Sequence, residues 1–190
     1  MQKVFQNFKT GNIEIIETPI PNVDLNDVLI HSSLSLISSG TEKMLIDFGK
    51  SNLISKAISQ PERVKEVVDK VKTDGFISTF EKVKTKLDQL MPMGYSNCGV
   101  VLKVGRNVKN IKPGDRVISN GSHGNFVKVS KNLCSKIPSN VTDESAVFTV
   151  IGSIALQGIR LAKPTLGETV LVVGLGIIGI ITAQLLKANG

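Results

Sequence analysis

The sequence has no tryptophan and a single tyrosine, Tyr95. No run of interleaved aromatic and basic residues is therefore available to stack on nucleic-acid bases. Its two cysteines, Cys98 and Cys134, lie far apart and form no C-x-x-C pair. That pattern indicates neither a disulfide framework nor a zinc ribbon. Charge of one sign is nowhere concentrated. Lys and Arg number 23 against 16 Asp and Glu, a net of +7 over 190 residues, with the lysines spread along the chain. A dispersed excess of that kind reads as a solvated surface rather than a nucleic-acid footprint, although it favours phosphate-bearing cofactors. The start, Met1-Gln2-Lys3-Val4-Phe5-Gln6-Asn7, carries no apolar leader, which points to a cytoplasmic protein. With 41% hydrophobic residues, the chain can build one domain with a proper core and part of a second.

What is present is one stretch that organises the rest. Thr169-Val170-Leu171-Val172-Val173-Gly174-Leu175-Gly176-Ile177-Ile178-Gly179 runs on into an apolar segment ending near Asn189. Four apolar residues, then G-x-G-x-x-G, then helical composition, give the order strand, tight turn, helix. Each glycine has a use in a dinucleotide site. Gly174 permits the turn, Gly176 lets backbone approach a pyrophosphate, and Gly179 lets the helix pack on the strand. The helix start offers free N–H groups and a positive dipole end. The same run is uncharged between Glu168 and Lys187, long enough to suggest a bilayer span. Its glycines, Gln184, and the loop-like entry at Pro164 and Gly167 argue against that reading. The acidic residue that holds the adenosine ribose is expected about twenty residues past the glycines, beyond Gly190. The sequence is therefore expected to be the front part of a longer protein.

Residues 1–37 read as β structure, with short strands around Ile13–Ile16 and Val28–Ile37. His31 reads as an ordinary polar strand residue. Ser38-Ser39-Gly40-Thr41-Glu42 breaks the second strand. Ser39 or Thr41 caps the short helical run through Met44, Leu45 and Ile46, or the hydroxyl-rich turn lines a site; the sequence supports both. Residues 50–91 show no strand pattern. Pro61 starts a helix whose stripe is Val64, Val67, Val68 and Val71. After Gly75 a second stripe follows at Phe76, Phe80, Val83, Leu87 and Leu90, which together predict a helical hairpin. From Met93 the β character returns through Val100–Gly105, the Pro113-Gly114-Asp115 turn and Phe126–Val129. Short strands with such turns suggest a small barrel or sandwich. His123, in the turn Gly121–Gly124, reads as solvated. Cys98 and Cys134 read as core or near-core thiols. Ala146–Leu161 is an apolar helix that hands over, through Pro164–Gly167, to the glycine stretch.

The order of these pieces resembles the medium-chain dehydrogenase/reductase superfamily, also called the zinc-type alcohol dehydrogenase-like family. Three segments carry the resemblance. Gly94-Tyr95-Ser96-Asn97-Cys98-Gly99-Val100-Val101, on through Val104-Gly105 to Lys112-Pro113-Gly114-Asp115-Arg116-Val117, is similar to the family's G-H-E-x-x-G-x-V…V-G…G-D-x-V signature. Pro164–Gly167 leading into Val170–Gly174 is the second. The turn Ser39-Gly40-Thr41-Glu42, similar to C-x-[ST]-[DE], is the third. The resemblance implies an α+β then α/β chain. A GroES-like β barrel would occupy 1–145, with a helical insertion at 50–91, followed over 146–190 by the first βα unit of a truncated Rossmann domain. The insertion and the Ser-Ser-Gly-Thr-Glu turn further resemble bi-domain bacterial oxidoreductases. In those, such a unit is fused to a second dehydrogenase-like module, often linked to polysaccharide synthesis.

The resemblance implies NAD or NADP held at Gly174, Leu175, Gly176, Ile177, Ile178 and Gly179, with Ser153 as a further contact. It implies hydride transfer to or from a carbonyl, alcohol or activated alkene. The sequence departs from the family at the metal. Positions matching the zinc ligands hold Ser39, Tyr95, Ser96 and Thr149. None is a usual zinc ligand, so no metal is expected and a hydrogen-bond donor must replace the Lewis acid. Tyr95 is the first candidate and Thr41, matching the family's proton-relaying hydroxyl, the second. Ser39 and Ser96 would line the substrate pocket. The expected partners are a small-molecule substrate and the remaining C-terminal part of the same protein, with neither nucleic acid nor membrane, and with a homo-oligomer left open. The alternative is a non-enzymatic binding or assembly module that has lost its metal site.

Overall fold

The computed structural model describes residues 1–7, 9–51, 55, 58, 61, 62, 64, 65, 69 and 89–190. In chain order the elements are β1 (Gln2–Asn7), β2 (Ile13–Glu17), β3 (Asp27–Ser35), α1 (Ser39–Lys50), β4 (Leu90–Pro92), β5 (Asn97–Val104), β6 (Arg116–Ser119), β7 (Phe126–Ser130) and β8 (Cys134–Lys136). Three helices follow, α2 (Asp143–Ala146), α3 (Thr149–Ala162) and α4 (Ile177–Ala188). The chain divides into two compact units. One comprises Met1–Lys3, Glu17–Gly40 and Gly94–Gly190, the other Val4–Ile16 and Thr41–Met93.

The first unit is built on an antiparallel sheet of order β7-β3-β5-β6-β8. Its strands are rich in valine and isoleucine, whose branched Cβ suits a pleated surface. The edge strands β7 and β8 are joined only by the 3-10 turn Lys131–Leu133. In a flat sheet four strand spacings would separate them by about 19 Å. The four Cα steps from Ser130 to Cys134 reach at most about 14 Å, and a 3-10 turn reaches less. The sheet must therefore curl until its two edges approach at that corner.

The curl separates two faces. Val28, Ile30, Val101, Val117, Val127 and Val129 are buried together with Val108 and Ile111 from the connecting loops. On the other face Cys98 and Ile118 pack under Ile137, Ala146 and Val147. Val117 and Ile118 are sequence neighbours and face opposite ways, as the period of two requires. Burying a side chain of this kind contributes about 1.5–3 kcal/mol. Arg116, on β6, fixes the helical side. Its Nε and Nη2 donate to Asp143 Oδ1 at 3.1 and 2.6 Å, and Nη2 also donates to the Val141 carbonyl at 2.8 Å.

The helix expected over 146–161 is broken at Val147–Phe148 into α2 and α3. Thr142 caps α2 by accepting from the Ser145 N–H at 3.3 Å. Helix α3 ends at Lys163, a left-handed residue with φ +50 whose N–H donates to the Ile159 carbonyl. Pro164 follows and cannot extend the helix. The segment Val170–Val173 runs into α4 without a ladder, so the predicted strand is not formed among the described residues. Its exposure gives the reason: Val170 is 46%, Leu171 85% and Val173 89% exposed, and no described strand pairs with it. No described helix is long and apolar enough to cross a membrane.

The second unit holds the sheet β2-β1-β4. Phe5, Gln6 and Asn7 pair with Pro92, Met91 and Leu90. Leu90 thus corrects the reading that placed it on a helical stripe; pairing with β1 outweighs the local pattern. Gln6 is fully buried, and its Nε2 donates to the Leu45 carbonyl of α1 at 2.9 Å. Pro61, Glu62, Val64 and Lys65 are helical, in the first predicted helix of the hairpin. Asp69 is helical as well, while Val67, Val68, Val71, Phe76, Phe80, Val83 and Leu87 of the two stripes lie outside the described residues.

Candidate functional site

The glycine turn shows why each glycine stands where it does. Gly174 has φ +94, a region that favours glycine. A Cβ on Gly179 would lie 1.9 Å from the Gly174 carbonyl oxygen and 3.6 Å from Val172 Cγ1, so α4 sits hard against the turn. Gly176 differs. It has φ −75 and ψ −177, ordinary extended backbone, and precedes the first residue of α4. A Cβ there would meet nothing within 4 Å. Packing and strain therefore give no reason for glycine at 176, whereas they do at 174 and 179. The opening beside it gives access to the amides of Ile177, Ile178 and Gly179, which precede the first intrahelical bond, from Ile180 N–H to the Gly176 carbonyl at 2.9 Å. Leu175 is 72% exposed. A groove of about 610 Å³ runs alongside, lined by Phe148, Thr149, Ile177, Ile180 and Gln184 among others. It brings together Thr149 and Ile177, two residues singled out in the sequence. Ser153, one turn along α3, is exposed and donates its hydroxyl to the Val150 carbonyl at 2.7 Å.

The second cluster is the corner Gly94-Tyr95-Ser96 that leads into β5. Gly94 has φ +85. Ser96 is 1% exposed, and its hydroxyl donates to the Val147 carbonyl at 2.6 Å. The Ser96 proton is thus committed to tying the corner to the segment between α2 and α3. Tyr95 is half-buried between these two fixed neighbours. Ser39 is the exposed first residue of α1, and Thr41 is half-buried within its first turn.

Sequence reasoning missed His123. It is not a solvated loop residue: it is 8% exposed, and its Nδ1 lies 2.8 Å from Ser35 Oγ on β3. Its ring packs on Gly94, where a Cβ would lie 2.6 Å from Cε1 and Nε2 and 2.7 Å from Cδ2. The flanking glycines Gly121 and Gly124 were the signal, since they allow the turn to press close to its neighbours.

The cysteines are free thiols. Burial, with Asp143 nearby, pushes the Cys98 thiol up to about 12, and burial pushes Cys134 up to about 11. Neither is an activated nucleophile. Among the described residues no three His, Cys, Asp or Glu side chains gather in a way that could hold a metal. The hydroxyls of Ser39, Tyr95, Ser96 and Thr149 do not form a zinc donor set.

No protein-family model matches the chain. The chain is similar to sorbitol dehydrogenase of Bos taurus, 30% identical over 131 residues that take in 53% of this chain and 37% of that enzyme. The human sorbitol dehydrogenase is 31% identical with the same shares covered. Among solved structures, the alcohol dehydrogenase TADH from Thermus sp. ATN1 superposes with a TM-score of 0.71 at 18% identity, covering 100% of this chain and 56% of that one. A mycobacterial protein complexed with NADPH superposes with a TM-score of 0.67 at 21% identity, covering 98% of this chain and 50% of that one. The structural likeness is one of fold. Together these relatives show a mixed α/β chain related to the medium-chain dehydrogenase/reductase superfamily. The match takes in little more than a third of the curated relatives' length, and the chain spans about half of the solved ones.

Proposed function

We propose that this chain is the front part of a zinc-independent, NAD- or NADP-dependent oxidoreductase, with a GroES-like catalytic domain over 1–145 and the start of a Rossmann domain over 146–190. The observation that carries the reading is the contrast among the three glycines. Gly174 and Gly179 are demanded by backbone and packing, while Gly176, in ordinary extended backbone, faces open space at the start of α4, where a ligand's phosphate could approach. The residues fit a dinucleotide. The amides of Ile177, Ile178 and Gly179 would donate to the pyrophosphate, and the positive end of α4 favours its charge. Leu175 flanks the approach, and Ser153 offers a hydroxyl on α3. When bound, the nicotinamide supplies or accepts the hydride.

The chain's own task is then to control charge on the substrate oxygen. A carbonyl that receives hydride becomes an alkoxide, which must be stabilised or protonated. The Tyr95 phenol is the donor assigned here, held between Gly94 and the tied Ser96. Thr41, matching the proton-relaying hydroxyl of the resembling family, is the second candidate, and Ser39 the candidate for the pocket wall. The substrate is a small carbonyl, alcohol or activated alkene. The remaining partners are the rest of the same protein and, in an oligomer, further copies of it.

The test is NADH and NADPH fluorescence titrated with the longer protein that carries this chain. A change in emission at micromolar protein is expected with one or both nucleotides. No change with either, at concentrations well above that, sinks the proposal.

A further inference from the structure

We propose that His123 is a positioning residue for Tyr95, a flat plate that holds the Gly94–Tyr95 corner in the conformation that aims the phenol. The inference rests on the reading that Tyr95 is the oxyanion donor. Glycine adopts positive and negative φ about equally readily, so nothing in the local chain selects φ +85 at Gly94. The selection must come from outside the peptide. The atoms nearest the missing Cβ of Gly94 are Cε1, Nε2 and Cδ2 of His123, at 2.6, 2.6 and 2.7 Å. Near-equal distances to three consecutive ring atoms place that point over the face of the imidazole, not at its edge. The ring thus covers one side of the Gly94 α-carbon and leaves no room for a side chain there.

The plate is itself anchored. Its Nδ1 is 2.8 Å from Ser35 Oγ at the end of β3, and the ring is buried. The position of Gly94 is therefore referenced to the sheet through Ser35 and His123. One residue beyond Tyr95, the Ser96 hydroxyl is bonded to the Val147 carbonyl at 2.6 Å. The backbone on either side of Tyr95 is thus restrained, at Gly94 by the imidazole and at Ser96 by the bond to Val147, and that limits where the phenol can point.

The chain contains one tyrosine and no tryptophan, so its tyrosine spectrum reports Tyr95 alone. The experiment records near-UV circular dichroism and acrylamide quenching of the 190-residue chain, without substrate or cofactor, for wild type, His123→Ala, His123→Phe and Ser35→Ala. In His123→Ala the tyrosine band is expected to collapse and quenching to rise. His123→Phe, which keeps a flat ring, is expected to restore most of both. Ser35→Ala removes only the anchor and is expected to move both signals the same way, by less. In the longer protein His123→Ala should lower kcat by about 10²-fold, the usual effect of a misplacement near 1 Å, with cofactor Kd unchanged. A tyrosine signal that stays wild-type in His123→Ala, or in Ser35→Ala where the former does not fold, overturns the proposal. Because those spectra need no turnover, they also separate it from the donor reading. An unchanged kcat in Tyr95→Phe would remove the donor role and leave the spectra as they are.

Discussion

Gly176 and Gly179 stand three residues apart in one turn, and the structure predicts opposite consequences for changing them. At Gly176 a Cβ meets nothing within 4 Å and the backbone is extended. Gly176→Val therefore builds into open space. Its structural cost is the loss of a tolerable helix N-cap residue, about 1 kcal/mol or less. For a chain of this size that lowers Tm by about 2–4 °C. The valine would, however, stand over the amides of Ile177–Gly179 and block any phosphate from reaching them. At Gly179 an added methyl falls 1.9 Å from the Gly174 carbonyl oxygen, more than 1 Å inside contact distance. The group it meets is backbone and cannot turn aside, so α4 must move away from the turn. Overpacking of this kind costs about 1–3 kcal/mol, or about 2–12 °C in Tm. The assays are thermal melts followed by far-UV circular dichroism and nucleotide titrations followed by fluorescence, the latter in the longer protein. Gly176→Val should abolish binding and barely shift the melt. Gly179→Ala should shift the melt strongly. If Gly176→Val binds nucleotide as tightly as wild type, the open space is not a ligand's and the glycine turn is only a packing device.

In Tyr95→Phe, kcat should fall by about 10²–10³-fold, the usual loss on removing one oxyanion donor, with cofactor affinity retained and no effect of chelators; full activity would refute the assignment. The two thiols should resist iodoacetamide at pH 8 in the folded chain and react once it is unfolded, since burial raises Cys98 to about 12 and Cys134 to about 11. Raised thiol values stabilise the fold below the unfolded thiol range, and that contribution is lost as pH climbs from about 9 toward those values; rapid labelling at pH 8 without unfolding would contradict it. The isolated chain should self-associate in sedimentation, because Leu171, Val173 and Leu175 are 85%, 89% and 72% exposed in one apolar segment, a known liability; a monomer at high concentration would refute that.

The parts of the fold that were legible in the sequence are those whose cause is local. Alternation marks β7 and, in part, β3 because a period of two is written residue by residue, and β5 shows as a valine-rich run. The turn at Gly174 was legible because its glycine answers to its own φ. What was not legible depends on distant partners. Leu90 sits in a helical stripe on paper, yet it pairs with Asn7 across more than eighty residues of chain. Val170–Val173 has strand composition, but a strand exists only where another pairs with it. His123 stands in a glycine-bounded turn of the kind usually left to solvent, yet it is buried, with the distant Gly94 and Ser35 close against its ring. Ser96 reads as a pocket hydroxyl and is found spending its proton on Val147, fifty-one positions away.

In the proposed zinc-independent reaction, hydroxyls at the positions that match zinc ligands in the resembling family would change what the fold must supply. A Lewis acid polarises an oxygen over a broad range of approach. A phenol does so along one O–H direction, and the bond weakens steeply when the angle falls. Exchanging the first for the second moves the demand from coordination to backbone rigidity. The corner around Tyr95 meets that demand. Gly94 sits at φ +85 against an imidazole that leaves no space for a side chain on that residue. That imidazole reaches β3 through Ser35, and Ser96 is tied to the Val147 carbonyl. Each contact is modest on its own scale, about 0.5–1.5 kcal/mol for a hydrogen bond. Their effect on aim does not scale with that energy, because they restrain the two neighbours of a single residue from opposite sides. On the proposed reading of Tyr95 as the oxyanion donor, the Ser96 tie and the buried His123 would be what keeps its phenol aimed.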